Sequence, residues 1–153
     1  MEPEGETRVA IVPGSMKKLQ KAGFEVVIEK GAGKAANYSD SEYTDAGASI
    51  GTRKDVLACE ILISIRLPDT SELSKGQVVA CVADPFRHPE KVQACIDGEI
   101  TLMSMDMIPR RLSRAQSMDV NSSQDNLAGY KAVLLGASPV SYTHLTLPTI
   151  YSV

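Results

Sequence analysis

Blocks of apolar residues separated by polar, turn-rich stretches run the length of this chain, and they predict strands alternating with helices. Residues 24–29, Phe-Glu-Val-Val-Ile-Glu, read as a strand rich in β-branched side chains. Residues 61–65 and 78–82 are near-continuous apolar runs of strand length, and 100–103 is a further strand. A brief strand is expected at 48–50. Residues 8–12 form a short apolar run broken by Pro13 and Gly14. Ser15 is placed to cap a helix through Ala22, whose Met16, Leu19 and Ala22 recur on one face before Gly23 ends it. Ser39 and Asp40 open a short helix to Ala46, stopped by Gly47, and residues 53–58 give a turn or two of helix. Pro89 opens a helix through Ile96, with Val92, Cys95 and Ile96 aligned. Residues 107–120 are charged and without a period. Ser122 or Ser123 then caps a long helix to about Leu135, striped by Leu127, Tyr130, Val133 and Leu134.

Strands apolar on both faces, alternating with helices, predict an α/β fold with a parallel sheet covered by helices on both sides. No second domain, repeat or low-complexity linker is visible.

Composition narrows the function classes. A chain of 153 residues is long enough for one domain with a real core. Its net charge of −3 gives no basic field for nucleic acid, and 5% aromatic residues without Trp offer few stacking platforms. Cys59, Cys81 and Cys95 lie far apart with no C-x-x-C pair, so zinc or disulfide-exchange chemistry is not suggested. Their odd number, with no signal peptide, fits a reducing compartment. No metal-ligand spacing appears. No apolar run reaches the ~20 residues a membrane span requires.

Gly31, Gly33 and Ala36 match G-x-G-x-x-A directly after a strand. Such a loop can cradle a pyrophosphate at a helix N-terminus. Here the next helix opens only after Ser39, so the glycines read as a structural turn. His88 has no fixed partner in the sequence and reads as a helix-start residue. Asp106 reads as a loop cap. Residues 110–123, Arg-Arg-Leu-Ser-Arg-Ala-Gln-Ser-Met-Asp-Val-Asn-Ser-Ser, hold more chemistry. Arg, Gln and Asp offer a cation, a carboxamide and a carboxylate, a set that suits a nicotinamide amide and a ribose hydroxyl. By composition alone the stretch reads as a solvated loop ending in a helix cap.

The run Ser113-Arg114-Ala115-Gln116-Ser117-Met118-Asp119, with Ser122-Ser123 and residues 126–132 (Asn-Leu-Ala-Gly-Tyr-Lys-Ala), resembles the N-terminal domain of the alanine dehydrogenase/transhydrogenase family, on its transhydrogenase α-subunit side. Residues 5–10, 23–33 and 46–48 agree with it. The resemblance covers roughly residues 2 to 137 and implies a three-layer, Rossmann-like or flavodoxin-like fold. It also implies that a loop of this pattern holds the nicotinamide end of NAD(H). Carried over residue by residue, Gln116, Asp119 and Ser122 match. The loop arginine is Arg111 by its distance from the glutamine, while an extra residue between Pro109 and Gln116 leaves Arg110 as the other candidate. The implied activity is hydride transfer between NAD(H) and NADP(H), the latter on a partner subunit, coupled to proton translocation. Implied partners are a β subunit, membrane domains and a second α subunit. The implied location is peripheral, on the cytoplasmic side of a bacterial inner membrane.

Three departures accompany the resemblance. The family's first strand, of the type Lys-Ile-Gly-Val-Pro, is missing before Gly5. The family's second domain, with a true G-x-G-x-x-G, is not in the chain. Residues 138–153 have no family counterpart, and 140–150 resemble translated sequencing-adapter sequence. The domain is therefore expected at 1–137, partial, followed by a tail at 138–153. As it stands, the fragment is expected to be inactive, weak in NAD binding and of low stability. An alanine dehydrogenase fragment is the alternative. That relative's substrate arginine corresponds to Arg8, but Arg66 stands at its lysine position, and no histidine matches near Asp84 and Pro85. An inactive truncated α/β module is the third reading.

Overall fold

The computed structural model of the chain describes residues 5–138. They divide into two compact units, the first ending at Met107 and the second beginning at Ile108. The first unit contains α1 (Met16–Lys21), β1 (Val27–Glu29), α2 (Asp40–Asp45), β2 (Ser49–Gly51), α3 (Arg53–Leu57), β3 (Ile61–Arg66), β4 (Val78–Val82), α4 (Pro89–Asp97) and β5 (Thr101–Ser104). The second contains α5 (Ser113–Gln116) and α6 (Val120–Ala137).

Local chemistry explains most boundaries. α2 and α3 each open on a capping box, Ser39 with Glu42 and Thr52 with Asp55, which satisfies orphan backbone donors from both directions. Gly23 and Gly47 leave their helices at φ +89° and +95°, a region glycine enters without steric cost. Ser15 precedes α1 but makes no side-chain cap. It already has helical dihedrals within a 3-10 turn, whereas a capping hydroxyl is aimed by extended backbone.

Every strand pairing among the described residues is parallel, as the apolar runs predicted. Val27 faces Ser49 in one sheet, and β4 lies between β3 and β5 in the other. The expectation of one continuous sheet is corrected. The described residues form a two-stranded sheet, β1-β2, and a three-stranded sheet, β3-β4-β5. The apolar run 24–29 contributes only three residues to β1, and Phe24 is exposed.

Each sheet has its own core. Val79 and Cys81 on β4 are fully buried with Leu62, Ala83, Cys95 and Ile100. Burial pushes the Cys95 thiol up. Met16, Ile28, Tyr43 and Ala48 form the second cluster. The buried Tyr43 hydroxyl donates to the Ile11 carbonyl at 2.7 Å, so its polar end is satisfied. The buried Gln77 is also satisfied. Its amide donates to the Leu57 and Cys59 carbonyls and accepts from the Ser74 N–H.

In the second unit, α6 is longer than expected and is capped by Asp119 instead of Ser122 or Ser123. Asp119 has the non-helical backbone a cap needs, and both serines lie inside the first turn. The apolar stripe exists, but Leu127, Tyr130, Val133 and Leu134 are all exposed. The adapter-like segment at 140–150 and the tail beyond Ser138 lie outside the described residues.

Candidate functional site

The residues expected to meet a nicotinamide all belong to the second unit. α5 ends at Gln116, and the chain turns through Ser117 and Met118 to Asp119. The Asp119 N–H donates to the Gln116 carbonyl at 3.4 Å, tying the two ends of the turn together. Asp119 then caps α6. Its Oδ1 accepts the Ser122 N–H at 3.0 Å, and its Oδ2 accepts the Ser122 hydroxyl at 2.6 Å. Arg110 Nε lies 3.6 Å from Oδ2, and Arg110 Nη2 lies 3.4 Å from Asp125 Oδ2.

The electrostatics follow from those bonds. The Ser122 hydroxyl, then its backbone N–H, and more weakly the Arg110 guanidinium hold the Asp119 carboxyl below the usual carboxylate range. The side chain is only 8% exposed, so this anion sits under the surface of the loop. The Ser122 hydroxyl and N–H, the Asn121 N–H and the Arg110 guanidinium all face this carboxylate. The Ser122 proton is spent on Asp119, which leaves its oxygen as an acceptor. Gln116 and Arg111 are exposed, and neither side chain has a partner among the described residues. The structure thus joins Asp119, Ser122 and Arg110. Gln116 is next to them through the backbone, and Arg111 stands apart from the cluster.

The donor set suits a nicotinamide nucleotide. A carboxamide needs an acceptor for its NH2 and a donor for its oxygen, and the free Gln116 amide supplies both. Among the described residues no cluster of His, Cys, Asp and Glu is able to hold a metal. No described helix is long and apolar enough to cross a membrane.

Other sequence candidates resolve differently. The Gly31 N–H donates to Asp40 Oδ1 at 2.9 Å, and a Cβ on Gly33 would lie 2.7 Å from the Tyr43 ring. Gly31 turns the chain at φ +75° with open space around it, and Gly33 serves close packing. Asp106 accepts from the Ala83 and Asp84 N–H groups and from Ser104, which fixes the chain just after β4. Burial raises the Asp106 carboxyl, but those hydrogen bonds outweigh it and hold the group low. Arg8 grips Glu6 through two 2.7 Å bonds. That grip lowers the Glu6 carboxyl to about 2.

Sequence reasoning missed one convergence. Arg66, Asp84, Arg87, His88 and Lys91 all line a cavity of about 410 Å³. Its signal was topological. Arg66 ends β3 and residues 84–88 follow β4, and neighbouring parallel strands bring such ends together.

The family described as "Alanine dehydrogenase/PNT, N-terminal domain" matches residues 2–128. The chain belongs to this family. Among alanine dehydrogenase/PNT relatives, it is 41% identical over 136 residues to the "NAD(P) transhydrogenase subunit alpha" of Cereibacter sphaeroides, covering 86% of this chain and 26% of that protein. The crystal structure of transhydrogenase from Sinorhizobium meliloti superposes with a TM-score of 0.82 at 41% identity, covering 88% of this chain and 41% of that one. An alanine dehydrogenase of Methanococcus maripaludis is more distant, 31% identical over 137 residues, with 86% of this chain and 36% of that protein covered. The chain therefore spans only about a quarter to two-fifths of the relatives it matches.

Proposed function

We propose that this chain is a portion of the NAD(H)-binding α subunit of a proton-translocating NAD(P) transhydrogenase, and that residues 110–122 hold the nicotinamide end of the dinucleotide. What supports the reading most is the Asp119 carboxylate, held ionised by Ser122 and Arg110 on a run of the family's pattern. The bound dinucleotide supplies the hydride; the protein's part is to position it. Gln116 presents donor and acceptor to the carboxamide. Asp119 receives a hydroxyl or amide proton, and Ser122 accepts a second. Arg111, whose side chain has no partner among the described residues, reaches for the ligand, while Arg110 fixes Asp119. In the whole protein the partners are NADP(H) on another subunit, a β subunit with membrane domains, and a second α subunit. Its place is the cytoplasmic face of a bacterial inner membrane. The sheet of the whole domain is Rossmann-like, in three layers. Residues 1–137 form the family domain, and the segment from 138 onward is foreign to it. The 153-residue chain alone is inactive and binds NAD too weakly to detect at micromolar concentrations.

A second reading, alanine dehydrogenase, draws on the cavity lined by Arg66, Arg87 and Lys91, whose cations suit a carboxylate. It is weaker because Arg66 cannot shed a proton as a catalytic lysine does and Arg8 is already held by Glu6. The test uses the longest natural polypeptide carrying this sequence, assembled with its partner subunit. Reduction of NAD by NADPH is the expected activity; alanine-dependent reduction of NAD in its place would overturn the reading.

A further inference from the structure

The turn after β4 carries an outlier of backbone geometry. Asp84 has φ +47°, a left-handed conformation that few residues other than glycine adopt. It is held there from both sides. Its N–H donates to Asp106 Oδ2 at 2.9 Å, and its carbonyl accepts the Arg87 N–H at 3.1 Å and the His88 N–H at 3.0 Å. Strain of this kind persists only where the surrounding bonds fix it, and it gathers at ligand sites. Here it carries Arg87 to the wall of a cavity that Arg66, the last residue of β3, and Lys91, in the first turn of α4, also line.

The charges on that wall do not cancel. Arg66, Arg87 and Lys91 are cations and Asp84 is the one carboxylate among the lining residues, a net charge of +2. Neighbouring groups leave it in place. Glu6 feels Arg66, but its own partner is Arg8 at 2.7 Å. His88 Nδ1 lies 3.1 Å from Glu90 Oε1, so those two answer each other. Arg87 Nε approaches Asp84 Oδ2 only to 3.7 Å, longer than a hydrogen bond, so its N–H fork can still take an anion. Leu67 and Val82 add an apolar wall, and a volume of about 410 Å³ is far more than a bare ion fills.

We propose that this cavity binds a small organic phosphate monoester. Arg66, Arg87 and Lys91 hold the phosphate, and Leu67 and Val82 take the organic part. A monoester phosphate carries close to two negative charges above its second pKa of about 6, which matches the wall. A carboxylate carries one charge and answers half of the field. Each phosphate in the bridge of a dinucleotide also carries one. The proposal rests on the first unit alone, so it and the nicotinamide reading can fail separately.

The probe is phenyl phosphate at about pH 8, where it is a dianion. It is added to the longest natural polypeptide carrying this sequence and followed by calorimetric titration. Phenyl phosphate is expected to bind at least about tenfold more tightly than benzoate or methyl phenyl phosphate, which carry one charge each. Arg87→Gln is expected to shrink that preference as well as the affinity, and to leave Tm unchanged because the side chain is 83% exposed. Lys91→Met should shrink the preference in the same way. Saturating NADH should leave phenyl phosphate bound. The proposal is overturned if phenyl phosphate does not bind at millimolar concentration, if benzoate binds equally well, or if both variants keep the full preference. Displacement by NADH would overturn it too, since the cavity would then belong to the dinucleotide's own site.

Discussion

Asp119 carries two tasks that one substitution can separate. Asn is as good a helix cap as Asp, but it lacks the charge that a ligand donor and Arg110 meet. In the longest natural polypeptide, Asp119→Asn is expected to leave Tm unchanged and to weaken NADH binding about tenfold, as loss of a hydrogen bond to a charged group does. Asp119→Ala should lower both. Calorimetric titration beside a melting curve reads the two effects. The arginines divide in the same way. Arg111→Ala should weaken NADH binding without moving Tm, whereas Arg110→Ala should also loosen the start of α6, seen as faster amide exchange at Ser122. Both arginines were visible in the sequence, but spacing could not decide between them. The choice depends on which side chain reaches back to Asp119 across the α5 turn. A third residue-scale effect is acid sensitivity. The folded-state Glu6 carboxyl lies near 2 against an ordinary 4.5, so its pairing with Arg8 stabilises the fold above about 4.5. That contribution fades as pH falls toward 2. Urea melts of Glu6→Gln should show a flatter loss of stability across this window than the parent chain.

At the scale of elements, the tight contacts around Gly33 make a sharp test of its role. A Cβ there meets the Tyr38 carbonyl at 2.9 Å as well as the Tyr43 ring, and a backbone oxygen cannot step aside. Gly33→Ala is expected to cost about 1–3 kcal/mol by overpacking and to leave NADH affinity unchanged once folding is made up by lower temperature. Loss of NADH binding without loss of stability would restore a phosphate role to the turn. Strand positions were largely legible, because β3, β4 and β5 are apolar runs bounded by Gly, Pro or charge. Residues 78–82 were placed to the residue. Pairing beyond neighbours was not legible. Nothing in the local pattern of residues 24–29 says whether β1 has a strand on its second side. The cap of α6 was misplaced for a related reason. Asp, Ser and Ser lie within five residues, and only the extended backbone at Asp119 chooses among them.

For the whole molecule, recognition of the family rested on one specific run, residues 113–119, supported by weaker matches near the start of the chain. What composition left as a solvated loop proves to be an ordered turn with an ionised, nearly buried carboxylate. The chain spans only part of its relatives, so the central claim is best tested on the longest natural polypeptide that carries it. The decisive measurement is an NADH titration of that protein with ¹⁵N-glutamine labelling, following side-chain amides. If the loop grips the nicotinamide, the Gln116 resonances shift and saturate with NADH while those of Gln20, Gln77 and Gln93 stay still. Saturable NADH binding that leaves Gln116 unmoved would contradict it.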